Sequence, residues 1–359
     1  VFSQAWVVRR RRGGLAWPGL GLALCGLCFS LWAPPLRAVQ NTSVFVLHSY
    51  SQEYPWTRRQ HEGFMRRLDA AAPDSFTVSV EYLDTKRAAY TTDYANLMAG
   101  HLAQKYAGLQ PKVIYVTDDN ALLFALSHLT RIFPNTPVFF SGVNDYQVKT
   151  RLAPGRATGV FERKEIAPNL ELMRHLAPGV RDILVVGDES ETFQAIRREI
   201  VTELERQPEI RARFLSSSRI EPLVESLRGR TERLVFLTTL GAMTDATGRT
   251  LTLPETISAI VQAGPFIILS MEDVYLYPGV LGGYVTSGLR QGGAAAEMVL
   301  RYLAGTAVAA IAPIESSPNE YIVDGAELDK VGLSLPPEIA RRAPILHPLP
   351  EVYQRNLEV

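Results

Sequence analysis

Short apolar runs and helical patterns alternate along this chain, and that alternation restricts its fold more than any other feature. Residues 43–47, 77–82, 112–117 and 137–141 are β-branched or apolar runs of strand length. Between them, apolar residues recur at helical spacing: Phe64, Leu68, Ala71 and Ala72 within 58–72, and Tyr94, Leu97, Met98, Leu102 and Tyr106 within 92–106. Residues 121–133 form a third such segment. Helices of this length between strands imply parallel pairing with right-handed crossovers. The pattern lapses over 149–157, a polar stretch with Pro154 and Gly155, and then restarts. Strands are expected at 182–187, 211–216, 233–239 and 266–270, with helices at 191–207 and 256–263. A second sheet of the same kind follows the first, a duplication of architecture with no evident repeat of sequence. A helix over 291–303 and a strand over 320–324 come next, and little regular pattern follows Pro344.

Residues 9–12 are four arginines, 15–33 are mostly apolar without charge, and 34–38 read Pro-Pro-Leu-Arg-Ala. This is the layout of a secretory signal, which predicts removal of 1–38 and an extracytoplasmic, periplasmic location. The alternative is a retained anchor, since the apolar run is long enough to span a bilayer. Cys25 and Cys28, the chain's 2 cysteines, both lie in this segment. The roughly 320 residues that follow suffice for two domains. Lys plus Arg and Asp plus Glu number 37 each, so no basic face is implied and no nucleic-acid partner is expected.

In open α/β sheets, ligands bind outside the carboxyl ends of the strands. The first strand ends there in His48, Ser49 and Tyr50, followed by Tyr54, Pro55 and Trp56. Thr57 has the hydroxyl to cap the next helix. Thr117, Asp118, Asp119 and Asn120 follow the third strand, and Asn144 follows the fourth. Asp188 and Thr239 close strands of the second half. Each residue has a plainer role available. Asp119 or Asn120 would cap a helix, the aromatic rings would pack a loop, and His48 would bond a neighbouring loop. Together they make a candidate wall for a small-molecule ligand, the rings for stacking and the carboxylates for an amino group or hydroxyls. Asp118 with Asp119, or Glu272 with Asp273, are pairs of the kind used in acid–base catalysis. No G-x-S-x-G, HExxH or GxxxxGK[ST] motif is present, and His61, His101 and His128 lack a partner at i+4. No enzyme activity, metal or cofactor is therefore expected, and those three histidines are expected at the surface.

LHSYSQEYPWT at 47–57, VVGDES at 185–190, DATGRTLTLPE at 245–255 and the segment from Ser270 to Thr306 with GGYVTSG and QGGAAAE together resemble one family. It is the periplasmic substrate-binding proteins of ABC-type uptake systems, with the type I two-lobed fold. The wording is most similar to the branch that also serves as the extracytoplasmic sensor domain of histidine kinases and diguanylate cyclases. The resemblance runs over most of residues 43–350. It implies two α/β lobes, each a parallel sheet flanked by helices, joined by three crossing segments and closing on a ligand by a hinge. The implied division is a signal peptide at 1–38, an N-terminal lobe of 41–150 plus 282–308, a C-terminal lobe of 155–272 plus 315–340, and a tail at 344–359. The final long helix would pack on the first lobe and the strand near 321–324 would return to the second. Asp273 and Tyr275 match the family's aspartate and tyrosine, while Tyr277-Pro278-Gly279 departs from its usual glycine-histidine-glycine. The resemblance implies an amino-acid-like solute, and as partners an ABC permease and ATPase for uptake, or a membrane kinase or cyclase for sensing.

Overall fold

The computed structural model describes residues 41–152, 155–241 and 243–348. The expected signal segment, both cysteines and residues 349–359 of the expected tail lie outside the described residues. The first lobe comprises β1 (Thr42–His48), α1 (Pro55–Ala71), β2 (Phe76–Tyr82), α2 (Thr92–Lys105), β3 (Val113–Thr117) and α3 (Asp118–Phe124). A π-helical turn (Ala125–Leu129) and α4 (Thr130–Ile132) prolong α3, and β4 (Val138–Val143) and β5 (Ala157–Phe161) complete the sheet. Its five strands are parallel, in the order β2-β1-β3-β4-β5. Both faces are covered. Phe45, Leu47, Ile114 and Val116 pack into one core, while Val44, Val46, Val113 and Tyr115 pack into the other. Successive strand residues point to opposite faces, so strands buried on both sides read as continuous apolar runs.

The second lobe begins with α5 (Ile166–Leu176), β6 (Asp182–Gly187), α6 (Glu191–Leu204) and β7 (Arg211–Ser216). It continues with α7 (Ile220–Leu227), β8 (Leu234–Leu237), α8 (Leu253–Val261), β9 (Ile267–Ser270) and β10 (Val280–Val285). After α9 (Gly288–Leu303) come β11 (Glu320–Asp324), α10 (Gly325–Lys330), α11 (Pro337–Ala340) and β12 (Ile345–Leu346). The seven-stranded sheet has the order β12-β11-β10-β9-β8-β6-β7. Only the β10–β11 pair is antiparallel among the described strands. The expected α/β architecture of parallel sheets flanked by helices is therefore present.

Several borders differ from expectation. β5 falls in the first sheet although 155–272 was assigned to the second lobe, and β10 falls in the second sheet although 282–308 was assigned to the first. Both strands contain glycines where a side chain has no room. A Cβ on Gly159 would lie 2.3 Å from Phe140 O, and one on Gly283 would lie 1.9 Å from Ser270 O. β12 adds a short parallel strand where no regular pattern was expected. The helix α1 starts at Pro55, with Tyr54 as N-cap, so Thr57 sits inside the first turn and does not cap it. Proline's fixed φ is suited to the first helical position and its missing N–H needs no partner there.

The chain crosses between lobes after β5, after β10 and between α9 and β11. The third crossing runs beside the first, with Ile314 bridged to Val160. α9 packs on α1 of the first lobe. Glycine makes that contact possible: a Cβ on Gly292 would lie 1.9 Å from Gln60 O, and one on Gly63 would lie 2.1 Å from Leu289 O. Gly293, one residue on, would place its Cβ 3.7 Å from Gly63 O, an ordinary contact. Gly292→Ala is expected to destabilise the protein by about 1–3 kcal/mol through overpacking. Gly293→Ala is expected to be neutral or to stabilise by roughly 0.5–1 kcal/mol through helix propensity. Urea unfolding of the two variants measures this, and equal effects would show that the close approach does not limit packing.

Candidate functional site

The carboxyl ends of the first sheet carry the polar cluster the sequence predicts, and much of it is engaged internally. His48 is fully buried, with Nδ1 3.0 Å from Thr117 Oγ1 and Nε2 3.1 Å from His61 Nδ1. Its ring stacks on Tyr82 at 5.2 Å. His61 is thus a half-buried partner of His48, not the surface histidine its spacing suggested. Burial lowers the pKa of both rings, His48 the more strongly, with the neighbouring His61 adding to the effect there. Ser49 Oγ donates to Thr117 O at 2.7 Å and accepts from Ala121 N at 2.8 Å. It caps α3 from a neighbouring strand, a role that Asp119 or Asn120 was expected to fill. Asp119 instead accepts from Asn144 N at 3.2 Å and Asp145 N at 2.9 Å, tying the loop after β3 to the loop after β4. Asn120 Nδ2 donates to Thr85 Oγ1 at 3.0 Å.

A second group lies between the lobes. Trp56, on the first turn of α1, packs into the second lobe's apolar cluster beside Val274 and Tyr275. Its Nε1 donates to Asp118 Oδ1 at 2.8 Å. Asp118 also accepts from Gln60 Nε2 at 3.3 and 3.2 Å and adopts φ +65°, an unusual backbone for a residue with a side chain. Burial pushes its carboxyl well above the usual range, against the Trp56 hydrogen bond, with Glu162 and Asp119 adding to the rise. Tyr275 is fully buried and its hydroxyl accepts from Leu240 N at 2.8 Å. Asp273 is paired with Arg59 of α1 at 3.0 Å and accepts from Gly288 N at the start of α9 at 3.2 Å. It thereby ties the second lobe to two helices of the first.

The third group lines an open cleft of about 360 Å³ between the carboxyl edges of the two sheets. Tyr50, Lys86 and Asn120 come from the first lobe, and Asp188, Ser190 and Gly241 from the second. Asp188 accepts from Gly241 N at 2.7 Å and Ser190 N at 3.0 Å, and its own N–H bonds Thr239 O at 2.8 Å. The Lys86 ammonium lies 4.7 Å from the Tyr50 ring centre and 5.6 Å from that of Tyr54. Of the sequence candidates, the open cleft thus gathers Tyr50 and Asp188. Tyr54, Trp56, Asp118, Asp273 and Tyr275 sit at the junction of the lobes. His48, Ser49, Asp119 and Asn144 brace the first lobe, and Thr239 contributes its carbonyl. Asn120, from the cluster after the third strand, also lines the open cleft, while Lys86 and Ser190 were not anticipated. Among the described residues no group of three or more His, Cys, Asp or Glu could hold a metal ion. No helix among them is long and apolar enough to cross a membrane.

No protein-family model and no curated protein matches the chain. Solved structures do. A substrate-binding protein with adhesive properties from Clostridium difficile, CD0873 in its ligand-free open form, matches with TM-score 0.61 at 14% identity, over 86% of this chain and 100% of that one. The ABC domain from Streptococcus pneumonia in complex with L-Trp matches with TM-score 0.60 at 14% identity, over the same 86% and 100%. A PurR family transcriptional regulator from Vibrio parahaemolyticus matches with TM-score 0.50 at 12% identity, over 77% and 96%. This chain has the type I periplasmic-binding-protein fold. Likeness at such identities carries the fold alone, and the fold serves regulators as well as solute-binding proteins.

Within this type I fold the first lobe's edge is sensitive to pH through Asp119. Burial raises its pKa from 3.8 to about 6, against the backbone N–H bonds from Asp145 and Asn144, with Glu162 and Asp145 adding to the rise. The folded chain therefore holds this proton more tightly than the unfolded chain. Protonation of this carboxyl favours folding, so the contribution of Asp119 to stability is greatest below pH 3.8, declines as pH rises to about 6 and levels off above it. Asp119→Asn, which keeps an acceptor oxygen without the charge, should make that decline shallower by roughly 1–3 kcal/mol. Urea unfolding at intervals from pH 4 to pH 7 measures the difference, and superimposable profiles would reject the assignment.

Proposed function

We propose that the chain is an extracytoplasmic solute-binding protein of an ABC-type uptake system, carrying a small amino-acid-like solute between its lobes to a permease and its ATPase. The observation that carries this reading is the cleft at the facing carboxyl edges, furnished from both lobes. A zwitterionic solute finds the Tyr50 ring for its apolar part, the Lys86 ammonium for its carboxylate, and Asp188 for its amino group. Ligand pockets of this kind combine an apolar or aromatic wall with a few convergent polar groups. The L-Trp complex of a structure with the same fold supports an amino-acid-like solute. So does the composition of the loop carrying Tyr50, Tyr54 and Trp56. The role is one of binding without catalysis.

A sensing role in a histidine kinase or diguanylate cyclase system is the second reading. The wording of the segments around His48–Thr57 and Gly282–Gly288 favours it. Loss of solute uptake on gene deletion supports transport, whereas unchanged uptake with a lost signalling response supports sensing.

A thermal-shift screen of amino acids, purines and small sugars tests the binding reading, because a ligand that binds only the native state raises the melting temperature by mass action. An amino-acid-like hit should bind Lys86→Met and Asp188→Asn at least about tenfold more weakly, a loss of roughly 1.4 kcal/mol each. The hit should be recovered intact. Its chemical conversion would overturn the binding role, and unchanged affinity in both variants would move the site elsewhere.

A further inference from the structure

Lys164 lies in the first crossing segment, and its side chain is fully buried. Its ammonium is bonded to Glu162 and lies 2.9 Å from Thr286 Oγ1 and 3.2 Å from Glu272 Oε1. The face of Trp56 stands 5.5 Å away, measured to the ring centre. These partners converge from separate parts of the fold. Trp56 belongs to the first turn of α1, Glu162 follows β5, Glu272 follows β9, and Thr286 follows β10. Two carboxylates, a hydroxyl and an indole face are the groups that hold a small organic ammonium ion. Burial opposes the charge on Lys164, yet Glu162 and Glu272 raise its pKa above that of an ordinary lysine, so it stays protonated. Asn144 Nδ2 reaches the other Glu162 oxygen at 3.4 Å, which joins the cluster to the first lobe's loops.

We propose that this cluster is a cation subsite of the interlobe cleft and that Lys164 is its built-in occupant. Lys164 thereby acts as a specificity determinant. It keeps a solute's ammonium group away from Trp56, Glu162 and Glu272, and leaves recognition to the open cleft at Tyr50, Lys86 and Asp188. The inference rests on the solute-binding reading and deepens it. An acidic junction would otherwise attract any cationic solute. With its own lysine in place, the junction is closed to that chemistry.

Removing the occupant and supplying it from solution provides the test. Lys164→Ala deletes the atoms of a propylammonium ion. The full chain carrying K164A should melt at a lower temperature than the wild type. n-Propylammonium chloride should raise that temperature in a saturable way, while n-propanol and sodium chloride at matched ionic strength should not, and the wild type should not respond. Adding Glu272→Gln should weaken the apparent affinity for the amine roughly tenfold. If K164A does not fold alone, it is refolded with and without the amine. Recovery only with the amine supports the subsite, and no recovery overturns it. Equal rescue by propanol, no rescue of folded K164A, or wild-type melting of K164A would each overturn it as well. The titration does not depend on the natural solute. A failed solute screen therefore leaves the subsite standing, and a failed titration leaves binding at Lys86 and Asp188 still to be measured.

Discussion

A parallel strand buried on both faces has nowhere to put polar side chains except its ends. Val44 to Leu47, Val113 to Val116 and Ile183 to Val186 are all fully buried, so this constraint holds in both lobes. The polar residues that follow such strands have two tasks. They must satisfy the backbone of the loops that turn into helices, and they are the only polar chemistry available at the edge where a ligand would bind. Ser49 spends both its donor and its acceptor on the first task. Asp119 does nearly the same by gathering the loop after β4. Asp188 does both, holding Gly241 and Ser190 while lining the open cleft.

Most of the fold was legible because its cores are built from strands with a consistent burial pattern. Apart from the two-residue β12, the strands that were misread share one property. In β5 and β10, glycines serve close backbone approach, and a reading by propensity takes them for turns. Gly282, at φ +126°, also marks the irregularity in the pairing of β10 with β9. The site was less legible. The clusters at strand ends were visible, but a sequence does not show whether a given polar residue braces a loop or faces a cleft. Thr57 has no capping role because Pro55, two positions earlier, already starts the helix and Tyr54 is its N-cap. Lys86 and Lys164 belong to charged links, and Glu162-Arg163-Lys164-Glu165 has the composition of a solvated connection. Nothing in that composition says that Lys164 turns inward.

The surfaces that meet at the junction are unlike an ordinary core. Trp56, Tyr50 and Tyr54 insert into the second lobe's apolar cluster, but around them stand Asp118, Glu162, Lys164 and Glu272. Buried charges seldom hold two bodies together more firmly than apolar packing of the same volume. Their use here means that separating the lobes would return charged groups to water along with the aromatic rings.

The return of α9 to the first lobe bears on how the chain is made. The face of the first sheet formed by Val44, Val46, Tyr115 and Phe139 is covered by α1 together with Ala295, Ala296 and Val299 of α9. Those residues leave the ribosome only after five of the seven strands of the second sheet have been synthesised. Until then the first lobe is missing part of one wall of its core, and less apolar burial is available to offset the conformational entropy of ordering its chain. Completion of the first lobe's core therefore depends on contacts of long sequence separation, the kind that must close a long loop before they contribute.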